Sequence, residues 1–251
     1  MTMLLNPGLS SGYSGLPFHL PKLLAWYDPV LSKPDVQPDG KIDTLYDISG
    51  NGHHLRVRTE ASRVHPTYDP NVFGSVPGIG NSLQDQFVEM RGDNDVRPYV
   101  TEQQTWFMVY KSYRPNSRRM MAFYNNYHTP LDHPAGMSWG RNQDGGFPRS
   151  DILLINGAIC TFMFQSASEL IVRGNGQQAL DSNGLPYNID PNDSYFVGTT
   201  PKYITLFTGY NIYAVEGAFG AVIFCMELLN MQLVQKVERY LSKRFSIPLI
   251  T

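Results

Sequence analysis

At 251 residues, 42% of them hydrophobic and only 17% charged, the chain holds enough apolar material for a sizeable core. Tyr, Phe, Gly and Pro are abundant, a mixture that suits many short strands with turns and excludes a mainly helical protein. A formal net charge of −2 supplies no global field for nucleic acid, and no stretch approaches the length of a membrane-spanning helix.

Residues 1–22 read as an extended arm, rich in Gly, Ser and Pro but dotted with Leu4, Leu5, Leu9, Leu16, Phe18 and Leu20. Such a segment either straps the protein's own surface or docks onto a neighbouring subunit. It lacks a basic n-region, and Asn6-Pro7-Gly8 interrupts its hydrophobic run, so it does not read as a signal peptide. Leu23, Leu24, Trp26 and Tyr27 predict a strand that Asp28-Pro29 stops. A spacer with Pro34, Pro38 and Asp39-Gly40 leads to a short strand around Ile42 to Tyr46. The turn Asp47-Ile48-Ser49-Gly50-Asn51-Gly52 follows. Gly50 and Gly52 take positive φ without steric cost, Asn51 tolerates it, and Asp47 can bond neighbouring amides.

Thr105 to Tyr110 is the strongest strand signal, and Leu153 to Asn156 and Ile159 to Phe164 read as further strands. Leu170 to Val172 followed by Gly174-Asn175-Gly176 predicts a hairpin, because Asn-Gly favours a type I′ turn. Tyr195 to Gly198 reads as another strand. Ala221 to Met226 suits a buried strand, and a helix follows at about 230–245. Asn230 is its predicted N-cap. Leu233, Val234, Val237, Tyr240 and Leu241 form its apolar stripe, and Gln235, Lys236, Glu238, Arg239 and Lys243 its outer face. This stripe is expected to pack on the edge or base of a sandwich. Cys160 and Cys225 both fall in apolar runs, which predicts buried thiols; a disulfide between them stays open.

Two ends of the chain carry a resemblance. Trp26-Tyr27-Asp28 followed by Tyr46-Asp47-Ile48-Ser49-Gly50-Asn51-Gly52-His53-His54-Leu55 resembles the opening of concanavalin A-like lectin/glucanase (laminin-G-like) jelly-roll domains, especially those of bacteriophage structural proteins. There a W-Y-D strand precedes a W-x-D-x-S-G-N-G-x-x-L turn, and Tyr46 stands here for the second Trp. Arg63 to Tyr68 is similar to the family's following R-P-x-Y segment, with Val64-His65 inserted. Phe87 to Met90 with Arg91-Gly92-Asp93 is the nearest match to its F-D-G turn. The strand and helix within Gly217 to Ile247 resemble the family's ending. The resemblance implies an all-β jelly-roll sandwich with one C-terminal helix, a single domain over 23–251 behind the arm.

Glucanases of that fold carry a Glu-x-Asp-x-x-Glu cluster on one strand face, and two carboxyl groups about 5 Å apart are needed for retention. Here Glu60, Glu89, Glu102, Glu169, Glu216, Glu227 and Glu238 are scattered, and the closest acidic group, Glu89, Asp93 and Asp95, is expected in a turn. The Gln-x-His strand of related polysaccharide lyases is missing too, so no catalytic residue is expected. Asp47 to Gly52 imitates half of an EF-hand loop, but Arg58 occupies the position of the bidentate Glu. No cofactor is indicated, although relatives use structural calcium. His53-His54 and the pair His128 and His133 lack a third ligand, and they read as polar loop residues. Lys111, Arg114, Arg118 and Arg119 read as a solvated loop, and Arg91-Gly92-Asp93 as a turn. Tyr124, Asn126, Tyr127 and His128, together with Trp139 and Arg141, offer the aromatic and planar polar groups a sugar needs. The expectation is a non-catalytic virion protein, a head decoration or a tail or baseplate component, made in the host cytoplasm. Its partners would be other virion proteins and copies of itself, with no nucleic acid and no membrane insertion. The alternative is an adhesin for host surface glycan; a glycan-cleaving enzyme is least favoured.

Overall fold

A computed structural model describes residues 20–32, 34–58, 64–81, 89–94, 96, 103–113, 118–119, 121–123, 129–132, 138–140, 152–166, 169–181, 183–186, 203–207 and 216–250. In chain order the strands are β1 (Leu23–Tyr27), β2 (Thr44–Leu45), β3 (Leu55–Val57), β4 (Thr67–Phe73), β5 (Val76–Asn81), β6 (Met90–Gly92), β7 (Gln104–Ser112) and β8 (Arg118–Arg119). They continue as β9 (Met121–Phe123), β10 (Thr129–Asp132), β11 (Ser138–Gly140), β12 (Ala158–Ser166), β13 (Glu169–Gly174), β14 (Gln177–Gln178), β15 (Ile204–Leu206) and β16 (Gly217–Cys225). The helix α1 (Met231–Phe245) closes the chain.

The strands form an eight-stranded sheet ordered β14-β13-β12-β7-β16-β5-β4, a five-stranded sheet ordered β2-β3-β6-β15-β9 and a small sheet ordered β11-β10-β8. In the large sheet β16 divides one edge between two partners, β5 along Gly217 to Phe219 and β1 along Val222 to Cys225. All pairings are antiparallel among the described residues.

Strand β7 shows how the layers arise. Its side chains alternate between faces, and neither face meets water. Trp106, Met108 and Tyr110 enter one core with Leu45, Leu55, Met90, Ile204 and Leu206 of the five-stranded sheet. Phe107 and Val109 enter a second core with Val234, Val237, Leu241 and Phe245 of α1. The order is therefore five-stranded sheet, eight-stranded sheet, helix. Cys160 belongs to the first core and Cys225 to the second, so the large sheet separates the two buried, free thiols.

Helix α1 begins at the predicted cap, where the Asn230 side chain accepts the Leu233 amide at 3.0 Å. It ends at Ser246, which adopts a left-handed φ of 55°. The helix lies on the face of the large sheet rather than on an edge or base of the sandwich. A Cβ at Gly220 would come within 2.7 Å of Phe245, so this glycine admits the ring that stacks edge-on with Phe73 at 5.4 Å. The register of β16 against β7 also shifts at this point.

Several expected features differ. Glu238, expected on the outer face of α1, is 1% exposed because Arg173 and Thr161 of the sheet beneath bond to it. Leu153 to Asn156 is not a strand. Its alternation is real, with Leu154 buried between exposed Leu153 and Ile155, but the Leu154 carbonyl accepts from Gly157 and closes a turn. Lys111 lies in β7 and Arg118 and Arg119 form β8, so the basic run is not one loop. Arg114 and the strand expected at Tyr195 to Gly198 lie outside the described residues, as does the arm up to residue 19. The hairpin at Asn175-Gly176 forms as expected, with φ of 47° and 91° joining β13 to β14.

Candidate functional site

The Asp47 turn organises the chain locally. Its buried carboxylate accepts from the backbone amides of Trp26 (2.9 Å), Ser49 (2.9 Å) and His53 (3.1 Å) and from the Ser49 hydroxyl (2.8 Å). Gly50 and Gly52 sit at φ of 91° and 75°, and Asn51 donates to the carbonyls of Leu23 and Leu24. Both Asp47 oxygens thus face donors, an arrangement that ties the turn to β1 and leaves the carboxylate no cation-ligand role. Tyr27 donates from its hydroxyl to the His53 carbonyl at 2.5 Å, and burial, aided by the Asp47 charge, pushes its pKa well up. His53 is held below the usual imidazole range by burial, against the pull of Asp47. Among the described residues no cluster of three or more potential metal ligands occurs.

A different set of residues gathers on the outer face of the five-stranded sheet. Strand alternation puts Leu55, Val57 and Met90 inside, so Arg56 and Arg91 point out. Register aligns Thr44 with Arg56, Arg56 with Arg91, and Arg91 with Thr205, one polar row across four strands. Each arginine has a carboxylate on its own face. Arg56 pairs with Asp93 at 2.5 Å and Arg91 with Glu89 at 2.7 Å. The Arg91 guanidinium also lies 5.9 Å from the centre of the Tyr203 ring.

Burial varies along the row. Thr44, Thr205 and Glu89 are 3%, 1% and 7% exposed, whereas the Arg56 and Asp93 side chains are more than half exposed. The row is therefore deep at β6 and β15 and open at β3. A nearly dry ion pair outside the apolar core costs desolvation that its own attraction barely offsets. What it provides is a fixed array of donors and acceptors: guanidinium N–H groups, carboxylate oxygens, threonine hydroxyls and an aromatic ring.

Sequence reasoning passed over these residues. Arg91-Gly92-Asp93 was expected as a turn, yet Arg91 and Gly92 lie in β6, and Glu89 and Asp93 flank that strand rather than lying in one turn. The available signal was the period of two in Leu55-Arg56-Val57-Arg58 and Glu89-Met90-Arg91-Gly92-Asp93. Of the sugar-contact residues expected from sequence, Tyr124, Asn126, Tyr127, His128 and Arg141 lie outside the described residues. Trp139 is placed by its backbone alone, in β11 opposite Pro130.

No protein-family model matches the chain, and no curated protein sequence matches it. Solved structures do. Domain 4 of AbnA, a GH43 extracellular arabinanase from Geobacillus stearothermophilus in complex with arabinotriose, is similar over 87% of this chain and 99% of that one, with TM-score 0.59 and 15% identity. The chain folds as an antiparallel jelly-roll β-sandwich with one C-terminal helix. The Trypanosoma rangeli sialidase is similar over 88% of this chain but 33% of its own, with TM-score 0.54 and 10% identity. The botulinum neurotoxin serotype D binding domain is similar over 88% of this chain and 51% of that one, with TM-score 0.51 and 10% identity. At these identities the likeness concerns the fold. Within it, the five-stranded sheet carries the row of Thr44, Arg56, Arg91 and Thr205 on the face away from the core, exposed at Arg56 and buried at both threonines.

Proposed function

We propose that this protein is a non-catalytic saccharide-binding module that holds its ligand on the outer face of the five-stranded sheet. The observation that carries the reading is the Thr44–Arg56–Arg91–Thr205 row with its paired carboxylates and the Tyr203 ring. Saccharides present vicinal hydroxyls that both donate and accept, and fixed guanidinium–carboxylate pairs match that pattern, while a ring face covers the sugar's C–H groups. Whole-length similarity to an arabinanase domain solved with arabinotriose supports the same class of ligand.

The row suits binding better than hydrolysis. Glu89 and Asp93 flank β6 at its two ends. Each also faces a guanidinium, which orients it as an acceptor. Titration calorimetry of the full chain against neutral and carboxylate- or sulfate-bearing polysaccharides tests the reading. Arg91→Ala is expected to weaken binding by about tenfold or more, since it removes the guanidinium at the centre of the row. Absence of binding to every polysaccharide, or release of new reducing ends, overturns it.

A second reading concerns where the module works. The Trp26-Tyr27-Asp28 and Asp47–Gly52 resemblance to phage structural proteins favours a virion component, made in the host cytoplasm and seated among other virion proteins or its own copies. Mass spectrometry of purified virions decides it: absence of the chain removes this reading and leaves saccharide binding intact.

A further inference from the structure

A second feature lies on the other sheet and has no part in that row. Strand β4 ends the eight-stranded sheet on one side, and the segment Gly40 to Ile42 bonds to its outer edge at Pro66 and Tyr68. At this edge Thr67, Tyr68, Asp69, Pro70, Gly80 and Tyr113 line an open cleft of about 360 Å³. Its construction is specific. Thr67 pairs with Gly80 and Asp69 with Gly78, so Thr67 and Asp69 share one face. Tyr113 follows β7, fixed by its amide's bond to the Glu216 carbonyl at 2.9 Å. Its hydroxyl lies 2.9 Å from where a Cβ on Gly80 would stand, so the missing side chain is what seats the phenol.

We propose that this cleft is a docking pocket for a cationic side chain, lysine or arginine, of a protein partner. Charge complementarity selects that occupant. Asp69 is exposed, and among the described residues no basic side chain pairs with it. Lys111, on the same outward row, is committed to the Val72 carbonyl at 3.1 Å. One Asp69 oxygen accepts the Asn71 amide at 2.8 Å, which fixes the carboxylate in the cleft that Tyr113 also lines. A carboxylate next to a phenol ring attracts a cation twice, by charge and through the ring's face. A neutral aliphatic group would gain the ring but leave the carboxylate's desolvation unanswered. Tyr113 also feels this charge: burial, and then Asp69, push its pKa up to about 12.

The edge strand argues for side-chain capture over strand addition. Pro70 has no amide to offer, and the β4–β5 register shifts between Asp69 and Phe73, which breaks the ladder a partner strand would extend. This proposal stands apart from the saccharide reading, since it uses neither the same sheet nor the same residues.

The test follows tyrosine ring resonances by NMR in the full chain at fixed ionic strength. The probes are N-acetyl-lysine methylamide, N-acetyl-arginine methylamide and the neutral isostere N-acetyl-norleucine methylamide. Either cation is expected to shift Tyr113 saturably, with binding about fivefold or more weaker in Asp69→Asn and, read at the Gly80 backbone amide, lost in Tyr113→Ala. An equal response to the norleucine probe overturns the proposal, as does the absence of saturable shifts with both cations. Backbone amide spectra of both variants report whether the fold is kept.

Discussion

Asp28 and Arg244, 216 residues apart, form a two-pronged ion pair, Arg244 Nε to Asp28 Oδ2 at 2.5 Å and a terminal nitrogen to Oδ1 at 2.7 Å. Asp28 is the last residue of the Trp26-Tyr27-Asp28 motif, and its 0% exposure shows that it does more than end a strand. It also accepts the amides of Val30 and Leu31, so one carboxylate fixes both the turn after β1 and the last turn of α1. Asp28→Ala takes the carboxylate away from a guanidinium whose side chain is 11% exposed and is expected to cost about 3–5 kcal/mol. Arg244→Lys keeps the charge but loses the fork and should cost less. Urea midpoints at a constant slope measure both; equal losses for the two variants would show that charge without the fork's geometry contributes nothing.

A local test addresses the Asp47 turn. Asp47→Ala removes the acceptor for three amides, of which those of Trp26 and His53 belong to buried residues. About 2–4 kcal/mol of stability should be lost, since each orphaned buried amide carries a penalty near 1–3 kcal/mol. Asp47→Asn retains one acceptor oxygen and should fall between. Hydrogen exchange at the Trp26 and His53 amides gives the direct readout, and unchanged protection in Asp47→Ala would contradict the assignment.

The same turn makes stability depend on pH. Burial lowers the His53 pKa in the folded state; the Asp47 carboxylate pulls it up and His54 pushes it further down, and the net shift is downward. The unfolded chain, with His53 near pH 6.5, then binds the proton first. Stability is full above about pH 6.5 and declines as the pH falls toward the lowered folded value. The decline should be shallower in His53→Gln than in the wild-type protein between pH 7.5 and 5, where urea midpoints are compared (a window set by the reference value of about 6.5). Parallel curves would assign the acid sensitivity to other groups.

The strands with strong local signals were legible in the sequence, and so was the helix. Thr105 to Tyr110 lies inside β7, Asn230 caps α1, and Asn175-Gly176 turns β13 into β14. These depend on propensity, capping and turn chemistry within a few residues. What escaped depends on residues far apart in the chain. Leu153 to Ile155 alternates like a strand, and the Leu154 carbonyl accepts the Ser112 amide from the end of β7, but the same carbonyl closes a turn with Gly157 and no ladder forms. Glu238 looks like an ordinary charged helix residue until Arg173, 65 positions away, is placed beneath it. The Arg56–Arg91 row exists only once β3 and β6 are set in register. Motif reading attends to contiguous residues, and this face is assembled from four strands.

The buried pair under α1 gives the sharpest energetic test. Arg173 donates to Glu238 through Nε at 2.9 Å and through a terminal nitrogen at 3.0 Å, and the Thr161 hydroxyl donates at 3.0 Å. The Arg173 and Glu238 side chains are 9% and 2% exposed. Glu238→Ala leaves a buried guanidinium and a buried hydroxyl without this partner, and a loss of about 3–5 kcal/mol is expected. The double replacement Arg173→Met with Glu238→Met removes both charges and keeps apolar volume. Because desolvation nearly cancels the attraction within a buried pair, the double variant should recover most of the single variant's loss. Urea unfolding of the wild-type protein, Arg173→Met, Glu238→Met and the double variant closes the cycle. A double variant as unstable as Glu238→Ala would mean that the pair stabilises the helix–sheet contact by more than its own desolvation, and that charge itself holds α1 on the sheet.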